Sequence, residues 1–531
     1  MKKTPIISLI FIWLFVLSSC QLLSPGSTEQ GHNIQDHYRS YYEVFVYSFA
    51  DSNGDGIGDF PGLTAKLDYI NDGVFSSEDA LGFDGIWLMP IMPSPTYHKY
   101  DVKDYLDIDP QYGTLEDFDA FMAEAQDRNI KVIIDLVLNH SSNEHPWFLE
   151  AIEALAKGET DHPYIDYYNF SQEKHNENWY ETGAPGWYYE GVFWSGMPDF
   201  NLASERLRDE FKAIMEFWLL ERQVDGFRLD AVKEFYSGEN EKNIEFLQWV
   251  NDTAKSIKEE AYLIGEAWTS FGEYKTFYRS GIDSFFDFAF ADQSGLAVRS
   301  INMEQGEEYA KNLANAQRLI LEENPDAINA SFLSNHDTGR LAGFLGRDIN
   351  KLKLAAVANL VTSGSSFVYY GEEIGMRGSG RDENKRAPMP WALDSEALTR
   401  GPEAMEEDKH GYPLGTVEEQ LSDPNSLLHY YRTLIRIRNT YPEFSRGIST
   451  YIEDFTSPAL MPIEKEWTDT EGEVHRSLIL VNFSSETLME TVPEAYADFK
   501  LVESLPNSNQ EEVIREDSTI TLPPYGFAIF R

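Results

Sequence analysis

Residues 226–233, Gly-Phe-Arg-Leu-Asp-Ala-Val-Lys, put three charges within six positions of a run that otherwise reads as a short buried strand. Such charges are costly beside a core unless they face a cleft and one another. Strand alternation sets Arg228 and Asp230 on one face, and Phe227 and Leu229 on the other. A carboxylate beside a guanidinium stays ionised at neutral pH, the state a nucleophile or electrostatic stabiliser needs. Taken alone, the octapeptide fits equally well a buried Arg–Asp pair that merely braces a strand end. Three other apolar runs also end in groups that a structural strand does not need: Asn139-His140, Gly265-Glu266-Ala267-Trp268 and Ser334-Asn335-His336-Asp337. If these ends meet, three carboxylates (Asp230, Glu266, Asp337), two imidazoles (His140, His336) and Arg228 surround one pocket, with no cysteine ligand and no glycine-rich phosphate loop. Paired carboxylates without a cofactor are the equipment of glycoside hydrolysis. One ionised group attacks the anomeric carbon while a protonated one donates to the leaving oxygen. Asp230 suits the first role. Glu266, followed by Ala267 and Trp268 and close to other negative charges, suits the raised-pKa role.

Elements that bring strand ends onto one rim are required, and the chain alternates accordingly. Strand-like runs fall at 42–49, 85–89, 131–139, 226–233, 261–265, 284–288, 328–333 and 366–370, each separated from the next by room for a helix. Phe118, Phe121, Met122 and Ala125 follow helical spacing, as do Leu207, Phe211, Ile214, Met215, Trp218 and Leu219. Eight such units predict an α/β fold of the (β/α)8 TIM-barrel kind rather than an open sheet. Residues 141–205, rich in Tyr, Trp, Asn, His and Gly, are too long for a simple loop and are expected to form a subdomain B over the barrel mouth. From about residue 445 onward, alternating runs with Pro and Asn-Ser turns predict a C-terminal antiparallel β-sandwich domain. The expected organisation is a signal peptide at 1–20, a flexible tether at 21–38, a barrel at 39–140 and 206–444, subdomain B at 141–205 and the β-domain at 445–531.

Aromatic residues make up 14% of the 531, enough for a well-packed core with rings left over to stack on flat ligands such as sugars. The formal net charge of −46 repels nucleic acid and anionic membranes, so neither is expected as a partner. The acidity reads as a solvated exterior or as adaptation to a salty medium. Cys20 is the only cysteine, which excludes internal disulfides and cysteine metal sites. It follows a lysine-bearing start and an apolar stretch at 6–17. Residues 17–20, Leu-Ser-Ser-Cys, resemble the bacterial lipoprotein box, which implies export, lipidation of Cys20 and attachment at the cell envelope, with the membrane touched through that anchor alone. A plain secretory signal is the alternative.

The strings DLVLNH (135–140), GFRLDAVK (226–233), GEAW (265–268) and SNHD (334–337) resemble, in order, the four signature regions of the α-amylase family, glycoside hydrolase family 13. MPDFN (197–201) is similar to a further signature in that family's inserted subdomain. The resemblance spans nearly all of the mature chain. It implies Asp230 as nucleophile, Glu266 as general acid/base and Asp337 as the carboxylate that grips sugar hydroxyls while the ring distorts. It places Arg228, His140 and His336 around the same sugar. The implied mechanism is retaining, with the Asp230 and Glu266 carboxyls about 5–5.5 Å apart. Tyr100 matches an aromatic that stacks on the sugar at the cleavage site. Tyr97 stands where exo-glucosidases of the family usually carry Asp, as in endo-acting amylases. His98-Lys99 departs from the usual His-Gly and is expected to narrow the approach. Ala231 is similar to α-1,4-acting members, and Lys233 matches a residue that binds sugar on the leaving-group side. By contrast, 369–376 (YYGEEIGM) and 386–391 (RAPMPW) resemble stretches of oligo-1,6-glucosidases. The expected activity is endo-hydrolysis of α-1,4-glucosidic bonds in starch, glycogen and maltooligosaccharides, by a monomer. An α-glucosidase, oligo-1,6-glucosidase or transglycosylase is the nearest alternative, and a non-catalytic glucan-binding protein a more distant one.

Asp51, Asn53, Asp55, Ile57 and Asp59 place oxygen donors at alternate positions around Gly54 and Gly56, as in the first nine positions of an EF-hand-type loop, with Ile57 contributing its carbonyl. Gly62 stands where such a loop has Glu, so this is not an EF-hand. Similar loops in the resembled family bind Ca²⁺, and Ca²⁺ is the expected ion; a polar turn is the alternative. Asn139 and Asp199 match positions of another calcium site in many amylases, and that second site stays open.

Overall fold

The computed structural model describes residues 34–531. Eight short strands close into a barrel: β1 Ser40–Val44, β2 Gly85–Leu88, β3 Lys131–Leu136, β4 Gly226–Leu229, β5 Tyr262–Gly265, β6 Ser284–Phe286, β7 Ile328–Ser331 and β8 Ser365–Tyr369. Each pairs in parallel with its neighbours, and β8 closes on β1 from Ser40↔Ser366 to Glu43↔Tyr369. The strands are buried on both sides, as helices outside and side chains inside require. Tyr41, Trp87, Ile133, Ile264, Phe286 and Phe367 fill the interior. Gly226 permits the closest approach: at φ +158°, a Cβ there would lie 1.8 Å from the Tyr262 carbonyl oxygen.

The expected helices form where apolar spacing placed them. Leu115–Asp127 begins at a reciprocal Thr114–Asp117 cap and buries Phe118, Phe121, Met122 and Ala125. Glu205–Glu216, capped by Ser204, buries Leu207, Phe211, Ile214 and Met215. A wider π-turn at Phe217–Glu221 then brings Trp218 and Leu219 onto the core. The strands are shorter than expected. Residues 46–49 leave the 42–49 run as a helical turn, because the loop that follows folds back so that Gly58 N–H donates to the Tyr47 carbonyl. The 131–139 run ends at Leu136, and the octapeptide leaves the sheet after Leu229, so Asp230 opens a turn at the rim.

Between β3 and β4 lie the helix Pro146–Lys157 and a three-stranded antiparallel sheet in the order Phe170–Ser171, Tyr188–Glu190, Trp179–Glu181. A bridge between His140 and Asp199 ties this insertion to the end of β3. After the barrel, a five-stranded antiparallel sheet (Ile448–Tyr451, Leu460–Thr468, Val474–Asn482, Phe527–Phe530, Leu501–Leu505) faces a three-stranded one (Leu488–Thr491, Thr519–Leu522, Ile514–Glu516). Leu478, Leu480, Phe530, Ile520 and Leu522 form the core between them.

Residues 34–38, expected as the end of a tether, pack against the barrel instead. Ile34 is buried, His37 stacks on Tyr262 with centroids 5.0 Å apart, and Asp36 pairs with Arg446 at 2.6 Å. The signal peptide, Cys20 and the rest of the tether lie outside the described residues. Among the described residues no helix is long and apolar enough to cross a membrane.

Candidate active site

The rim of the barrel gathers the predicted groups around Arg228. From β4 the guanidinium sends Nη1 to Asp230 Oδ1 at 2.5 Å and to Asp135 Oδ1, at the end of β3, at 2.7 Å; its Nη2 lies 3.3 Å from Glu266 Oε2, just past β5. Three carboxylates therefore share one cation that is 1% exposed. The same Glu266 oxygen, Oε2, also accepts the Ala231 N–H at 2.9 Å. That N–H is presented by a left-handed backbone at Ala231 (φ +49°), an uncommon conformation for a residue with a Cβ and one that concentrates at working sites. Burial, with Asp230 and Asp337 nearby, outweighs Arg228 and pushes the Glu266 carboxyl up to about 8. Burial likewise raises Asp135, against the pull of Arg228.

Asp337 experiences the opposite balance. Burial alone would raise it, but His336 Nε2 at 3.0 Å and Arg386 Nη2 at 2.8 Å hold it below the usual carboxylate range. Its turn is shaped by Asn335, whose Oδ1 accepts the N–H groups of Asp337 and Thr338. His336 sits between Asp337 and Glu43 of β1, with Nδ1 2.6 Å from Glu43 Oε1. Burial disfavours its charge, yet the two carboxylates raise it to about 9, so it is an imidazolium at neutral pH. Tyr100 lies over it, with centroids 5.6 Å apart and its hydroxyl 2.7 Å from Nε2. His140 is the neutral counterpart: burial lowers it to about 4, and its Nε2 is buried without a protein partner. The Tyr105 hydroxyl bonds the carbonyls of Val137 and His140 and thereby fixes that ring's backbone.

One carboxyl kept protonated beside another paired with a guanidinium, both next to an imidazolium and a neutral imidazole, can protonate a leaving oxygen while a carboxylate approaches carbon. A family profile described as the alpha-amylase catalytic domain matches residues 43–447. The chain belongs to the α-amylase family, glycoside hydrolase family 13. It is 41% identical over 414 residues to Alpha-amylase 3 of Dictyoglomus thermophilum, covering 77% of this chain and 78% of that one. It is 33% identical to a trehalose synthase of Pimelobacter sp., covering 82% and 84%. The solved structure of Eubacterium rectale Amy13B superposes with a TM-score of 0.88 at 41% identity, covering 94% of this chain and 96% of that one. The protein is thus a glycosidase of an α-glucan-active family.

Within that family frame, Asp230, Glu266, Asp337, Arg228, His140, His336 and Tyr100 converge. Tyr97 joins them at one remove, its hydroxyl accepting from Arg386 Nη1 at 3.2 Å. Lys233 stands apart: it is about one-third exposed and its ammonium faces Glu234 at 3.8 Å. Lys99 does not narrow the approach. Its side chain ends in a buried pair with Asp109 rather than in open space. Three participants escaped the sequence reading as site residues: Glu43, Asp135 and Arg386. Glu43 and Asp135 are lone acids inside apolar runs, a signal that could have found them. Arg386 comes from a loop nearly fifty residues after Asp337; it opens the 386–391 stretch that resembles oligo-1,6-glucosidases, but nothing local marks it as a partner of Asp337.

The loop with Asp51, Asn53, Asp55, Ile57 and Asp59 is separate from this cluster. Asp51 accepts the N–H groups of Asn53, Gly54 and Gly56, and Asp59 those of Ser52 and Gly62. Asp51 and Asp59 are buried, and among the described residues no lysine or arginine pairs with Asp51, Asp55 or Asp59. The donors are all oxygen, the chemistry a hard cation such as Ca²⁺ takes, but in this structure N–H and hydroxyl groups occupy them and the three carboxylates are not drawn together around one point. Asn139 Nδ2 lies 3.3 Å from Asp199 Oδ1, beside a cavity of about 200 Å³ also lined by Glu190 and Glu234. Burial pushes Asp199 up to about 8 there.

Proposed function

We propose that the chain is an endo-acting α-amylase that hydrolyses α-1,4-glucosidic bonds in starch-like glucans with retention. Asp230 is the nucleophile: its carboxylate bonds to the anomeric carbon as Glu266 gives its proton to the departing glycosidic oxygen. Glu266, now ionised, takes a proton from water, whose oxygen displaces Asp230 and restores both groups. Asp337 accepts hydrogen bonds from hydroxyls of the distorted sugar, and His140 Nε2 offers an unused buried partner for another. Arg228 disperses the charge that moves between Asp230 and Glu266. The observation that carries the endo reading is the Tyr97–Arg386–Asp337 chain. A tyrosine fills the place where a carboxylate would close the site around a glucan end. Product profiles over time on long amylose and on maltose test it. Internal cleavage is expected, whereas strict release of terminal glucose, or cleavage of isomaltose alone, would favour the glucosidase reading.

The Asp51–Asp59 donors would hold a Ca²⁺ that supplies charge balance and rigidity to the loop after β1 and takes no part in bond breaking. Calorimetric Ca²⁺ binding, lost in Asp55→Ala, is the expected result. Export and lipid anchoring through Cys20 complete the proposal. Radiolabelled palmitate should enter the parent and not Cys20→Ser.

A further inference from the structure

We propose that Lys99 is a positioning residue: its buried ammonium, clamped by Asp109 and Gln111, fixes the loop that presents Tyr97 and Tyr100 to the sugar. This rests on the reading of those two tyrosines as sugar contacts. Lys99 has φ +65°, in the left-handed region where glycine is the default and a long side chain must be held by its surroundings. The surroundings do hold it. Its Nζ lies 2.8 Å from Asp109 Oδ2, 2.6 Å from Gln111 Oε1 and 5.4 Å above the Tyr112 ring, and the residue is 2% exposed. Asp109 is equally fixed, because Oδ2 accepts the Ser94 N–H at 3.1 Å, Oδ1 the Gln111 N–H at 3.0 Å, and its own N–H donates to the Ile91 carbonyl.

The other flank of the loop is anchored on a second buried carboxylate, Asp101, which accepts the hydroxyls of Ser94 and Thr96. Residues 94–101 are thus pinned at two points, and the tyrosines between them reach in different directions. Tyr97 reaches Arg386, and Tyr100 reaches His336 and Asp135. Without the ammonium, Asp109 is left buried with two N–H donors but no counter-charge, and the left-handed residue loses its restraint. Tyr100 then no longer has a fixed height over His336. Misplacement of a stacking group by a fraction of an ångström weakens contacts that matter most in the distorted transition state, so the loss belongs chiefly in kcat.

The experiment is steady-state kinetics on maltoheptaose with full-length Lys99→Met, Lys99→Gly, Asp109→Asn and the Lys99→Met/Asp109→Asn pair, each assayed well below its own melting midpoint. Lys99→Met and Asp109→Asn are each expected to lower kcat/KM about 10- to 100-fold, with most of the loss in kcat. The double variant should be no worse than the poorer single one, since both break one clamp. Lys99→Gly relaxes the backbone yet should lose activity like Lys99→Met. The proposal is overturned if melting midpoints fall while kcat and KM stay at parental values, if the two losses multiply, or if Lys99→Gly matches the parent. Asp230→Asn assayed in parallel separates the two readings. An active Asp230→Asn defeats the site itself, whereas an inactive one beside a parental Lys99→Met defeats the Lys99 proposal alone.

Discussion

Two pairs of arginines, equally buried, serve opposite ends of the barrel. At the base, Arg39 donates to the carbonyls of Ile34, Asp36 and Asp84, and Arg438 to those of Leu360, Thr362 and Gly364. At the rim, Arg228 faces three carboxylates and Arg386 faces Asp337 and Tyr97. All four are 3% exposed or less. A guanidinium among carbonyls satisfies backbone groups that would otherwise be stranded, and so contributes stability. A guanidinium among carboxylates fixes which of them carry protons, and so contributes chemistry. Burial alone does not separate the two functions; the identity of the partner does. This matches the general division of such barrels into a stabilising bottom face and a reactive top face.

Substitutions can break or sharpen that contrast. The largest expected effect is at the rim: Asp230→Asn should lower kcat by at least about 10⁴-fold on amylose with the melting midpoint little changed. Next comes Glu266→Gln, with an expected loss of about 10²–10⁴-fold, as for removal of a general acid. Because Glu266 donates only when protonated and is raised to about 8, parental activity should fall as pH rises through that region. The residual activity of Glu266→Gln should lack this basic limb, and a pH–rate profile that keeps it would assign the limb to another group.

The arginines give the direct comparison. Arg438→Met should unfold in denaturant with a stability loss on the order of 3–5 kcal/mol, from carbonyls left unpaired, and keep parental kcat while folded. Arg228→Met should lose about 10²–10³-fold in kcat, as for removal of a preorganised charge, with a smaller change in midpoint. If both variants lose stability and activity alike, the contrast fails.

Smaller effects concern stability alone. His336 is raised from 6.5 to about 9, so its contribution is full below pH 6.5 and is lost as pH rises through 9. Asp337 is depressed, so its contribution is present above about pH 3.8 and is lost as pH falls. Melting midpoints against pH should therefore form a dome, and His336→Gln should flatten its alkaline side. The proposed Ca²⁺ would be an exception on the rim. Chelation should lower the midpoint, by the loss of about 2.7 kcal/mol if the ion is present at a hundred times its Kd, without altering kcat of the folded enzyme. Asp55→Ala should be insensitive to chelator.

Much of this is legible in the sequence. Helical spacing marked Phe118 to Ala125, and the apolar runs marked all eight strands, because periodicity is a local property that burial then enforces. Strand ends were less legible. Whether residues 46–49 or 230–233 stay in the sheet depends on what folds back upon them, as Gly58 does on Tyr47. Lys99 shows the same limit, since the direction of its side chain is set by Asp109 and Tyr112 rather than by its neighbours in sequence.

The sequence by itself determined which chemical groups the protein has and the barrel that lines them up. Asp230 and Glu266 come directly after their strands, and Asp337 lies six residues past its own on a turn set by Asn335, so local sequence carries each to the same rim. Only the tertiary structure decided how these like groups differ. Glu266 is raised by burial, Asp337 is depressed by His336 and Arg386, and His336 itself is kept charged by Asp337 and by Glu43, the latter 293 residues away in the chain. Protonation depends on burial and on charges within a few ångströms, whatever their distance in sequence.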